Sequence, residues 1–98
     1  MPYINAQLRP GIWNRNLGTI TSRFIHTTGD LNYAITVLLD DFLVRQVSAG
    51  KKVGYTEMSA ARAALTDAAD EFYSVVMRPY EERQRQNNGD VYKFQPGR

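Results

Sequence analysis

Residues 56–79 read TEMSAARAALTDAADEFYSVVMRP, and within them Met58, Ala61, Leu65, Ala68, Phe72 and Val75 recur at spacings of three and four. An α-helix turns once in 3.6 residues, so this period gathers the apolar side chains on one stripe. Thr56 offers an N-cap oxygen, with Glu57 in the first turn. Pro79 lacks an N–H and collides with the turn before it, so a kink is expected there. Asn88-Gly89 supplies the stop, because glycine takes the left-handed conformation that follows a helix. The longest helix is therefore expected from Thr56 to about Asn88, bent at Pro79.

Working backwards, Ser48 to Tyr55 holds two glycines and two lysines without helical period and reads as a loop. Before it, Leu31, Ala34, Ile35, Leu38 and Phe42 form a second stripe, widened by Leu39, that predicts a helix ending near Val47. Asp30 is the expected cap, its charge suiting the positive end of the helix dipole, and Thr27-Thr28-Gly29 is turn material. Trp13, Leu17, Ile20 and Phe24 mark a first helix from about Gly11 to His26. Gly18, Thr19 and Thr21 lower its intrinsic propensity, so it depends on packing. Two prolines make residues 1–10 an extended N-terminal arm. Residues 90–98 form a C-terminal arm: Asp90 to Phe94 suit a short strand or ordered tail, and Pro96-Gly97-Arg98 a loose end.

The expected architecture is all-α: one domain over residues 1–98, three helices, the third long and kinked, and two extended arms. Its 98 residues leave room for one core, and a 43% hydrophobic content is enough to build it. A monomer of this size hides only roughly two-thirds of its unfolded surface, which favours self-association. The chain has no cysteine, so disulfides and thiolate zinc sites are excluded. Its apolar runs are far shorter than the about 20 residues of a membrane-spanning helix, and the N-terminus has no secretory pattern. A net charge of +2, spread along the chain, argues against nucleic acid as partner. Residues 1–29 carry Arg9, Arg15 and Arg23 and no acid, which predicts a positive N-terminal face.

Enzyme chemistry finds few parts here. His26 is the single histidine, and it suits a helix end, where a cation meets terminal carbonyls, better than general-base work. No metal site within one subunit, no catalytic residue and no cofactor is expected. Gly50-Lys51-Lys52 is only a fragment of a phosphate loop. The acidic groups read as solvated helix faces, although Asp67 and Glu71 lie one turn apart, a spacing that would suit a divalent ion shared between subunits. Six tyrosines in so short a chain are a sharper feature. Tyrosine rings pack in cores and rims, and with arginines they also line grooves where planar or anionic groups stack and are held by forked guanidinium bonds.

Met1-Pro2-Tyr3-Ile4 with Arg9-Pro10, Gly29-Asp30-Leu31-Asn32-Tyr33-Ala34-Ile35-Thr36, Glu71-Phe72-Tyr73 with Arg78-Pro79-Tyr80-Glu81, and Asn88-Gly89-Asp90-Val91-Tyr92 follow one another along nearly the whole chain. In these motifs the sequence resembles a small family of phage and prophage proteins with no established activity. It departs from the family pattern in the Gly50 to Gly54 loop, after Tyr92, and at Arg78. The resemblance implies a phage accessory protein in the host cytoplasm, acting without catalysis. Two functions fit that context: a homo-oligomer that binds or sequesters a small anionic, nucleotide-like ligand of host immune signalling, or an adaptor or inhibitor bound to a host protein. For the first, the expected ligand-binding residues are Tyr3, Arg9, Asn32, Tyr33, Arg78, Tyr80 and Tyr92.

Overall fold

The second helix begins at a reciprocal cap. Thr27 Oγ1 accepts the Asp30 N–H at 3.0 Å, and the Asp30 carboxylate accepts the N–H groups of Thr27 at 3.2 Å and His26 at 3.0 Å. Thr27 is thus the N-cap and Asp30 the third helical residue, which corrects the expectation that Asp30 caps. The Thr-x-x-Asp spacing satisfies free N–H groups at both places, and one side chain alone would not.

In the computed structural model, which describes residues 2–94 apart from the side chains of Pro10 and Ile12, the chain is all-α, with no strand among the described residues. Helix α1 (Asn16–Phe24) follows without a break from a 3-10 turn (Ala6–Leu8) and a π turn (Arg9–Arg15). Helix α2 spans Thr28–Ser48, and α3 (Tyr55–Phe72) passes through a π turn (Tyr73–Met77) into α4 (Arg78–Asn88). Residues 55–88 thus form one long, bent third helix. The extended part of the N-terminal arm is shorter than residues 1–10 suggested. Asn5 Oδ1 accepts the Gln7 N–H, and helical turns start at Ala6. Residues 89–94 are irregular, and residues 95–98, with the loose end expected there, lie outside the described residues.

Two further boundaries follow from backbone chemistry. Gly54, rather than Thr56, is the N-cap of α3, and the Glu57 carboxylate reaches back to the Gly54 N–H at 2.9 Å. Gly89 ends α4 at φ +87°, where a side chain would be strained. The π turn at Tyr73–Met77 has its cause in Pro79. Proline has no N–H to give the Val75 carbonyl, and its ring crowds that oxygen. Widening the helix by one residue relieves the clash, and the Arg78 N–H donates to Tyr73 O, five residues back. The distortion therefore lies one turn before Pro79 rather than at it.

Burial is sparse. Ala61 on α3 is the single buried hydrophobic residue among the described residues, at 7% exposure. Packing between separate helices is substantial only for α2 against α3. Ile35, Leu39 and Leu43, one turn apart, are half-buried and mark the α2 side that α3 covers. The other expected core residues stand open: Phe24 is 68% exposed and Leu38 62%. The radius of gyration is 18.4 Å, against about 13 Å for a compact chain of this length. The accessible surface is 8974 Å², whereas a compact monomer of 11.2 kDa shows about 5,700 Å². Three amphipathic helices are present, and one chain does not enclose their apolar stripes.

The cap carries a pH signature. Hydrogen bonds from the His26 N–H first, and from Thr27 next, hold the Asp30 carboxyl below the usual carboxylate range. A depressed folded-state pKa stabilises fully above the unfolded value of about 3.9, and the contribution is lost as pH falls through the folded value. Thermal unfolding followed by circular dichroism should show an acid-side loss of stability that Asp30→Asn removes. Thr27→Ala should cost about 1 kcal/mol at neutral pH, the usual effect of losing an N-cap.

Candidate functional site

Only Ile25, His26 and Thr27 separate α1 from α2, and hydrogen bonds fix their path. His26 Nε2 lies 3.0 Å from Arg23 O, at the end of α1, while its backbone N–H is bound to Asp30. The single histidine therefore serves the helix end, as its position suggested. This link holds α1 and α2 apart as a V. Leu17, Ile20 and Phe24 of α1 face Tyr33, Val37 and Leu38 of α2 across a cleft of about 550 Å³. Its one charged group is Asp30, whose carboxylate already serves the cap.

A second cluster surrounds the π turn. Tyr73 donates its hydroxyl to Glu81 Oε2 at 2.8 Å, across eight residues and over Pro79. The same bond pushes the Tyr73 phenol above its ordinary pKa, since ionisation would set it against the carboxylate. The Arg83 guanidinium lies 5.9 Å from the centroid of the Tyr80 ring, within cation–π range. Tyr80, Val76 and Met77 line a shallow hollow beside it. Arg78 is exposed, and among the described residues no ion pair engages it.

The N-terminal arm reaches the third helix of its own chain, where the Tyr3 hydroxyl donates to the Glu71 carboxylate, which raises the phenol's pKa. Asp67, Asp70 and Glu71 border a hollow there with Pro2. Among the described residues no three groups of His, Cys, Asp or Glu are arranged to hold a metal ion. Arg9, half-buried, donates its Nε to Ile4 O at 2.9 Å and so stiffens the arm. At the other end Arg85 pairs with Glu82 at 2.9 Å and lies 3.8 Å from Asp90, which draws the tail back over α4. Tyr92 lines the hollow behind that pair, its N–H bound to Asp90 Oδ1.

The seven residues expected to bind a ligand thus fall on different parts of the chain. Tyr33, 72% exposed, lines the α1–α2 cleft, Tyr80 the hollow at the π turn, and Tyr92 the hollow at the end of α4. Arg78 and Tyr80 share the first turn of α4, and Asn32 adjoins Tyr33 on an exposed part of α2. Tyr3 and Arg9 are occupied within the arm and its docking. Sequence reading placed Glu81 beside Arg78 and Tyr80 at the kink, and missed Tyr73 and Arg83 as its companions. The eight-residue separation of a phenol and a carboxylate around Pro79 was the available signal, since two helical turns bring such groups to one face.

The chain is all-α, with apolar stripes left uncovered among the described residues and a set of exposed phenol and guanidinium groups. The chain belongs to the DUF6899 family, a domain of unknown function whose family model matches residues 1–91. No curated protein and no solved structure matches it.

Pro79→Ala restores an N–H for Val75 O, so the π turn should revert to α-helix and carry Tyr73 out of reach of Glu81. A structure of the variant should show the widened turn gone, with helix stability raised toward the roughly 3 kcal/mol that separates proline from alanine. A turn still π-shaped in that structure would show that Pro79 does not cause it.

Proposed function

We propose that the protein is a non-enzymatic accessory protein of phage type that assembles as a homo-oligomer in the host cytoplasm. In this reading its subunits together hold a small anionic, nucleotide-like molecule, and so withdraw a signal of host immunity. The observation that carries the reading is the exposed surface. Each chain shows roughly 3,300 Å² more than a compact monomer of its mass would, much of it apolar side chain. Water around the apolar part of that surface is unfavourable by about 25 cal/mol per Å², which gives association a driving force.

The ligand half rests on chemistry left unused within the chain. Arg78 lacks an acidic partner, and the Tyr80 and Tyr92 hydroxyls make no hydrogen bond among the described residues. Guanidinium forks recognise phosphate through paired bonds, and tyrosine faces accept a base. Because these groups lie apart on one chain, their convergence requires a second chain. The alternative reading is an adaptor or inhibitor of a host protein, and the apolar α1–α2 cleft favours it, since a partner's helix would fit such a groove.

Light scattering at micromolar concentration should return a multiple of 11.2 kDa. A mass of one chain at every concentration would overturn the oligomer. Calorimetry with cyclic and linear nucleotides should detect binding that Arg78→Ala weakens by at least tenfold, the about 1.5–3 kcal/mol of a charged hydrogen bond, at unchanged melting temperature. No heat with any nucleotide, together with a host protein retained by the wild type and lost in Tyr80→Ala, would replace this reading with the alternative.

A further inference from the structure

We propose that the α1–α2 cleft is the seat of a second copy of this chain, with two protomers exchanging their first helices so that each α1 lies in the cleft of its partner. The proposal rests on the homo-oligomer reading above and names its interface.

The cleft is unsuited to the anionic ligand. Small-molecule sites combine apolar walls with a few polar groups that orient the ligand. Here Leu17, Ile20 and Phe24 face Tyr33, Val37 and Leu38, and the one charge present is the carboxylate of Asp30, which would repel an anion. The walls match an apolar helix stripe instead, and the chain carries one in α1 itself.

Helix α1 also needs a partner. It includes Gly18, Thr19 and Thr21, which lower its intrinsic propensity, so it depends on packing. No other helix of its own chain packs substantially on it. Its neighbour α2 is short of cover as well. Ile35, Leu39 and Leu43 are half-buried, while Leu31, Tyr33, Val37, Leu38 and Phe42 stand exposed.

A second copy answers both needs with one contact. In a twofold arrangement residue i of one chain meets j of the other, and j meets i, so the α1 stripe and the α2 wall are covered together on both protomers. The area agrees. Obligate homodimers bury about 2,000–5,000 Å² in total, and the surplus of roughly 3,300 Å² per chain is enough for that. The short hydrogen-bonded link at Ile25 to Thr27 leaves a cleft between α1 and α2, which gives the partner's helix its point of entry. A host protein would have to be present in equal amount from synthesis onward to give the same cover, whereas the second copy always is.

The test uses the full chain and two single variants. Ile20→Lys places a cation on the α1 stripe, and Val37→Asp places an anion on the α2 wall. Light scattering should find the wild type at twice 11.2 kDa or more and each variant at about half its mass or below. On mixing, Lys of one variant meets Asp of the other across one interface, whereas each variant alone sets its charge against apolar partners only, so the mass should recover toward that of the wild type. Circular dichroism of the mixture should regain any helicity that the separate variants lose, which covers the case in which α1 unfolds alone. An oligomeric wild type whose mass neither substitution changes would overturn this interface and leave the oligomer reading standing. Loss of mass in both variants without recovery on mixing would overturn the exchange. A wild type at 11.2 kDa throughout would overturn both inferences, and a host protein captured by it but not by Ile20→Lys would assign the cleft to that partner.

Discussion

Helix α2 sets the terms for the rest of this molecule. Its apolar residues occupy more than one face, and α3 covers only the side bearing Ile35, Leu39 and Leu43. Burying one leucine-sized side chain stabilises by about 1.5–3 kcal/mol, and leaving several in water forgoes as many such contributions. Among the described residues a single alanine is packed out of solvent, which leaves little interior to offset the entropy of ordering the chain.

In the absence of a core, local hydrogen bonding gives the protomer its shape. The Thr27 and Asp30 cap, joined by His26, sets the angle at which α1 leaves α2. Glu57 fastens the entry to α3 at Gly54, and the π turn before Pro79 redirects the third helix. The Tyr73 to Glu81 bond then spans that turn, and Tyr3 to Glu71 brings the N-terminal arm against α3. Each device is exposed, and each would be modest in isolation. Together they hold apolar stripes in fixed directions, which is what a surface needs in order to meet another surface without a large ordering cost.

The tyrosines divide by the same logic. Tyr3 and Tyr73 give their hydroxyls to carboxylates and serve the protomer's geometry, with raised pKa values as the electrostatic consequence. Tyr33, Tyr80 and Tyr92 keep theirs free, and Arg83 stacks on Tyr80. Aromatic rings with a polar tip and a neighbouring guanidinium recur at protein interfaces as well as at ligand sites. An arrangement that supplies such groups at three separate hollows suits recognition between chains, of a ligand or of one another.

The sequence by itself determined the three helices, because apolar periodicity, the Asn88-Gly89 stop and Pro79 act through the backbone within a few residues. It also determined that His26 would close a helix end, a local matter of a ring beside terminal carbonyls. Cap positions shifted by a few residues: from Asp30 to Thr27, because either side of a reciprocal cap has the right chemistry, and from Thr56 to Gly54, because the Glu57 carboxylate reaches back to the Gly54 N–H. What only the tertiary structure decided was the fate of the stripes. Trp13, Leu17, Ile20, Phe24, Leu38 and Phe42 have the spacing of core residues, and periodicity names the face of a helix that avoids water without naming what covers it. The direction in which the hydrogen-bonded link and the π turn send the helices decides that, and they send them apart, which leaves the stripes, and the dispersed tyrosines and arginines with them, on the outside of a single chain.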